Sequence, residues 1–185
     1  VSTQSTGQRM SKLNIGANWE MRFQAEDKQT DQTQQQYENT FKQIIEFNEV
    51  QKFMELFQFV ENPSKLAAGS GYCIMKQGIQ PMYEDLYHAS KGYKRIRLNC
   101  ANENIDKLWS FLVLNILNKN FNNEHFTGIE VRLKQDKVSK QLETFCTVWI
   151  VGKGGDDQQK KQEIEQGEQI LKKILNLEPT YNFDK

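Results

Sequence analysis

Lys76-Gln77-Gly78-Ile79-Gln80-Pro81-Met82-Tyr83-Glu84-Asp85 lies between two runs that read as strands, 72–76 and Lys94 to Leu98. Gly78 and Pro81 are turn residues, so the stretch is a loop between strands rather than a helix. It sets an aromatic ring, Tyr83, beside a carboxylate, Glu84, just past the proline. A flat cationic base needs that pairing: a ring to stack on and an acceptor for its edge N–H groups.

Working outward, alternation marks further strands. Trp19, Met21 and Phe23 alternate with Glu20 and Arg22, and Phe41 to Phe47 follows after a polar, Gln-rich loop from Asp27 to Gln36. Arg95 and Arg97 fall on the face opposite Ile96 and Leu98. Ile129, Val131 and Leu133 alternate with Glu130 and Arg132, and Phe145 to Val151 is apolar on both faces. Helical spacing appears three times. Val50, Phe53, Met54, Phe57 and Val60 form the first helix, with Asn48 as its expected cap and Asn62-Pro63-Ser64 as its end. Ile105, Leu108, Trp109, Leu112, Ile116 and Leu117 form the second. Ile164, Leu171, Ile174 and Leu175 mark the third, which follows Gly154-Gly155 and stops at Glu178-Pro179, with a short strand expected at 180–183. The pattern predicts an α+β fold: a curved antiparallel sheet with three long helices packed on its convex face, the other face free for a ligand. Residues 1–16 are expected to be a flexible arm and 17–185 a single domain.

The chain has 185 residues, 24 basic and 24 acidic, which argues against coating a long nucleic acid but allows the grip of one nucleotide. Cys73, Cys100 and Cys146 are odd in number and lack CxxC spacing, so they read as reduced thiols of an intracellular protein. His88 and His125 lie far apart with no cysteine pair nearby, so neither a metal site nor nucleophilic catalysis is expected. No apolar run is long enough to span a membrane. Gly152-Lys153-Gly154-Gly155 lacks the spacing and the Ser/Thr of a phosphate loop.

The run from Lys76 through Glu84 resembles the cap-binding loop of the eukaryotic translation initiation factor four-E family, proteins that hold the 7-methylguanosine cap of mRNA. The similarity of order extends from about Trp19 to about Pro179. In that family the guanine lies between two aromatic rings, usually Trp, and a Glu after the second ring binds the base edge. The resemblance implies that Tyr83 is the second ring and Glu84 the acceptor. Counting back from Phe47 places the first ring at Tyr37. Gly128-Ile129-Glu130-Val131-Arg132 is similar to the strand whose arginine contacts the cap phosphates, implying that role for Arg132, with Lys134 and Lys137 adding charge. Trp149 is similar to the tryptophan that touches the N7-methyl group, across a loop in which 138–145 look inserted; Trp19 and Trp109 match core tryptophans.

The resemblance therefore implies a non-enzymatic, cytoplasmic, monomeric cap-binding protein of translation initiation or its control, with no cofactor. Its implied partners are capped mRNA and a scaffold initiation factor or repressor peptide on the convex helices. Three departures stand out. Tyr93 sits where the family often has Arg, the usual His-Pro lead-in is absent, and Met54 replaces the Trp that joins Val50 in docking the scaffold. Tyrosines at both ring positions, Tyr93 in place of that Arg and the inserted loop motivate a competing expectation: the fold kept as an interaction subunit of a larger assembly, with cap binding lost or weakened.

Overall fold

Strands put alternate side chains on opposite faces, and that rule sorts the molecule into a helical face and an open face. The structure, a computed structural model, describes residues 14–25, 34–118, 123–136 and 138–177. Along the chain run β1 (Asn14–Gln24), α1 (Gln34–Glu38), β2 (Phe41–Glu49), α2 (Val50–Phe59) and β3 (Gly71–Lys76). Then come α3 (Leu86–Lys91), β4 (Tyr93–Cys100), α4 (Ile105–Leu117), β5 (Phe126–Gln135), β6 (Leu142–Val151) and α5 (Asp157–Leu175). The six strands pair antiparallel in the order β2-β1-β3-β5-β6-β4.

On the helical face Met21 pairs with Ile74, Ile74 with Ile129, Ile129 with Val148, and Val148 with Ile96. Phe53 and Leu56 of α2, Leu108, Trp109, Leu112 and Ile116 of α4, and Leu171 and Ile174 of α5 cover this row. Each such side chain, fully buried, contributes about 1.5–3 kcal/mol, so this layer dominates the stability. Trp19 and Trp109 are core residues, as expected. The expected α+β class and three long helices are present.

Several local expectations change. Glu49, not Asn48, holds the N-cap position of α2 and makes no side-chain cap bond, so burial of Phe53 and Leu56 holds the helix start. In α5, Asp156 accepts from the Gln159 N–H, and the Gln159 side chain returns the bond as a capping box. β1 already begins at Asn14, inside the expected arm. Residues 142–145, read as an insertion, are the start of β6 and pair with 132–135. Two short helices, α1 and α3, were not expected. The strand expected at 180–183 lies outside the described residues.

Candidate functional site

The open face is a grid of three residue rows fixed by strand register. One row runs Gln24, Gly71, Arg132, Phe145, Asn99; the next runs Arg22, Cys73, Glu130, Thr147, Arg97; the third runs Glu20, Met75, Gly128, Trp149, Arg95. The glycines make room. A Cβ at Gly71 would meet the Arg132 side chain, and one at Gly128 would meet Met75. Arg132 and Met75 therefore lie over neighbouring backbone instead of standing up from the sheet. A small apolar cluster of Cys73, Met75, Ile79 and Trp149, flanked by Phe41 and Tyr93, supports this face.

The loop carrying Tyr83 and Glu84 is tied to β1 by a buried ion pair. Glu20 and Arg22 meet at 2.7 Å, their side chains 5% and 8% exposed. The Gly78 N–H donates to Glu20 Oε1 at 2.7 Å, which Gly78 allows by adopting φ +81°. Arg22 Nη1 donates to Gln80 Oε1 at 2.7 Å and to the Ile79 carbonyl at 3.4 Å. Both charges are thus consumed by holding 78–80 in place.

Asp85 closes the loop from its other end. Its Oδ2 accepts from the Gln80 N–H at 3.0 Å, while Oδ1 accepts from Tyr87 and His88 N–H and caps α3. Helix α3 delivers His88 beneath the loop. The Met82 carbonyl can only accept, so His88 Nδ1 carries the hydrogen of that 3.0 Å bond. Nε2 then accepts from the Thr127 hydroxyl at 3.0 Å. Burial depresses the His88 pKa, in keeping with a neutral ring. The ring stacks on Trp149, with centroids 4.7 Å apart and planes 14° apart.

Trp149 is 0% exposed. Its indole N–H donates to Glu130, and the Arg95 guanidinium lies 5.2 Å from its ring centroid. Burial pushes the Glu130 carboxyl up; the indole bond and the fields of Arg132 and Arg95 act in the opposite direction. Arg132 lies beside this carboxylate, and its Nη1 is buried without a hydrogen-bond partner.

Tyr37 sits on α1, half-buried, its ring edge-on to Phe41 at 5.4 Å. Thr40 secures this turn by donating its N–H and hydroxyl to the Tyr37 carbonyl. Burial raises the Tyr37 phenol, opposed by a hydrogen bond to Gln24, within the fields of Glu130 and Arg132. Tyr83 is 60% exposed, and its hydroxyl is hydrogen-bonded to Glu84, which raises its pKa first of all. Arg95 and Tyr93 are also near enough to act on it.

The fold thus gathers Tyr37, Arg132, Trp149, Tyr83 and Glu84 along one face, linked through Glu130 and Arg95. Lys134 follows Arg132 on the same face of β5 and is exposed. Lys137 lies outside the described residues. Val50 and Met54 belong to α2 on the other side of the molecule, with Met54 47% exposed. Sequence reasoning missed Glu20, Arg22, Asp85, His88 and Glu130. Glu20 and Arg22 looked like the wet side of an amphipathic strand. Only Asp85, an N-cap type before Leu86-Tyr87-His88, left a readable signal.

The family model described as "Eukaryotic initiation factor 4E" matches residues 14–184. Eukaryotic translation initiation factor 4E1 of Drosophila melanogaster is 30% identical over 107 residues, 56% of this chain and 41% of that protein. Eukaryotic translation initiation factor 4E of Aplysia californica is 30% identical over 126 residues, 65% of this chain and 56% of that protein. The chain thus spans about half the length of the curated relatives it matches. Ascaris suum eIF4E-3, solved with an m2,2,7G cap, superposes with a TM-score of 0.71 at 22% identity, covering 92% of this chain and 88% of that one. The Schistosome eIF4E complexed with m7GpppG and 4E-BP gives a TM-score of 0.69 at 16% identity, covering 90% and 85%. These structural likenesses establish the fold; the family match over residues 14–184 establishes the lineage, and the chain belongs to the eukaryotic initiation factor 4E family.

Proposed function

We propose that the chain binds the 7-methylguanosine cap of mRNA and acts in translation initiation or its control, as a single-domain binding protein and not an enzyme. The observation that carries this reading is the Tyr83–Glu84 pair, solvent-facing on a loop whose underside is fully wired. A network of polar bonds beneath two exposed residues fixes their positions, as a binding pair requires.

The chemistry follows from charge. A 7-methylguanine is cationic, so an aromatic ring gains a cation–π term of about 1–2 kcal/mol beyond stacking worth about 1–3 kcal/mol. Glu84, freed from the Tyr83 hydroxyl, accepts from the base N1–H and exocyclic amine as a charge-assisted fork. Tyr37 is the opposing ring, Trp149 the methyl contact, and Arg132 with Lys134 and Lys137 the phosphate ligands. Tyr37 lies down on Phe41 and Trp149 is covered, so ligand entry requires Tyr37 to lift and Arg95 to move off the indole. Relatives solved with cap analogues and with 4E-binding proteins support the same reading. Val50 and Met54 on α2 are the corresponding docking surface for a scaffold factor or repressor peptide.

Calorimetric titration with 7-methyl-GTP tests the reading. Wild type is expected to saturate, and Tyr83→Ala to weaken binding by roughly tenfold to a hundredfold, the worth of one stacked ring. Unchanged affinity in Tyr83→Ala would remove Tyr83 from the site. A second reading, the fold retained as an interaction subunit without cap binding, draws on the closed state of Trp149 and Tyr37. It predicts no saturation by 7-methyl-GTP, with partner binding lost in Met54→Asp.

A further inference from the structure

The cations of the open face are not equally compensated. Arg22 is paired with Glu20, whereas the buried Glu130 carboxyl lies in the fields of both Arg132 and, to a smaller extent, Arg95. Arg95, exposed on the edge strand β4, makes no direct ion pair among the described residues; its guanidinium rests over the Trp149 ring. Two residues on, Arg97 repeats the arrangement with its guanidinium 3.5 Å from the Phe145 centroid. Arg97 also donates to Asn99 Oδ1 at 2.8 Å and to Glu143 Oε2 at 3.0 Å. Both members of that ion pair are nearly half exposed, and such pairs contribute little and yield readily to a better anion.

The two arginines project from the same face of one strand, about 6.6 Å apart along it. That step is comparable with the spacing of successive phosphates in an extended single strand. Each guanidinium lies over a ring, and the N–H bonds of Arg97 go to Asn99 and to the half-exposed Glu143, which a phosphate can replace. Among the described residues no strand lies beyond β4.

We propose that Arg95 and Arg97 form a phosphate track leading away from the base site, so that the ligand is the 5′ end of an RNA chain and not its first nucleotide alone. The track rests on the cap-binding reading for its starting point, since it begins beside Tyr83 and Trp149. With the cap's own phosphates on Arg132, Lys134 and Lys137, Arg95 takes the first backbone phosphate beyond them and Arg97 the next.

The test compares 7-methyl-GTP with a capped RNA of about eight nucleotides, in wild type, Arg95→Gln and Arg97→Gln, at several salt concentrations. Wild type is expected to prefer the capped RNA over the mononucleotide by about fivefold per added phosphate contact. Arg97→Gln is expected to bring the ratio of the two affinities back towards one. Each substitution is expected to flatten the dependence of log K on log salt by about 0.7 for the RNA. Equal affinity of wild type for both ligands, or a ratio indifferent to both substitutions, would overturn the track. Should 7-methyl-GTP fail to saturate wild type, the cap-binding reading falls by itself. Uncapped RNA of the same sequence then decides the track: binding weakened by Arg97→Gln supports it, and absence of RNA binding overturns it.

Discussion

Glu20 and Arg22 show how much depends on side chains that never touch a ligand. Removing one charge leaves the other buried without a partner, which costs about 3–5 kcal/mol. Arg22→Met is therefore expected to lower the urea midpoint sharply, whereas Glu20→Gln with Arg22→Met together should cost much less stability while loosening the 78–80 loop. The reverse order of midpoints would refute the clasp. Glu130 gives a pH signature. Burial holds its carboxyl above the ordinary 4.5, so the unfolded chain releases this proton first as pH rises. The associated stability is complete below about 4.5 and is lost as pH climbs through the raised value. Relative to wild type, Glu130→Gln should gain stability in urea melts as pH rises from below about 4.5 through the raised value; a constant gap would contradict the burial argument. None of these three residues was legible as buried in the sequence. Alternation tells which strand residues share a face, but not that a loop folds back over that face. Tyr83 and Glu84 could be proposed from the sequence because they sit in a contiguous motif.

At the scale of elements, the long helices and the strands were readable because apolar spacing repeats over several turns or pairs. The short helices α1 and α3 were not. Six or fewer residues carry too little periodicity, and both are held by capping and turn bonds, from Thr40 and Asp85. The sheet's close approaches are equally silent in sequence, since a strand glycine signals only a missing side chain. Gly128→Ala would bring a Cβ onto Met75 and to 2.7 Å from the Ile74 carbonyl, so it is expected to cost about 1–3 kcal/mol or more by denaturant titration. Asp156→Ala removes one side of the α5 capping box and should cost about 1 kcal/mol by the same measurement. A loss near zero in either variant would show that the local packing or cap is not as described.

Across the whole molecule, a sheet armoured by helices on one side leaves the other as a polar surface with a few buried hydrophobic supports. Order along the chain was enough to foresee that architecture, because every long element announces its face. Pocket state was not foreseeable: whether Tyr37 stands open or lies on Phe41 depends on contacts among residues distant in sequence. Tyrosine is a weaker cation–π surface than tryptophan, so cap affinity is expected to be lower than in a relative with two tryptophans. The most direct test is a side-by-side titration of 7-methyl-GTP and GTP against wild type and Glu84→Gln. The account predicts saturation with clear preference for the methylated nucleotide, and at least about tenfold weaker binding in Glu84→Gln as one charge-assisted acceptor is lost. Equal affinity for the two nucleotides, or a Glu84→Gln variant that binds like wild type, would contradict it.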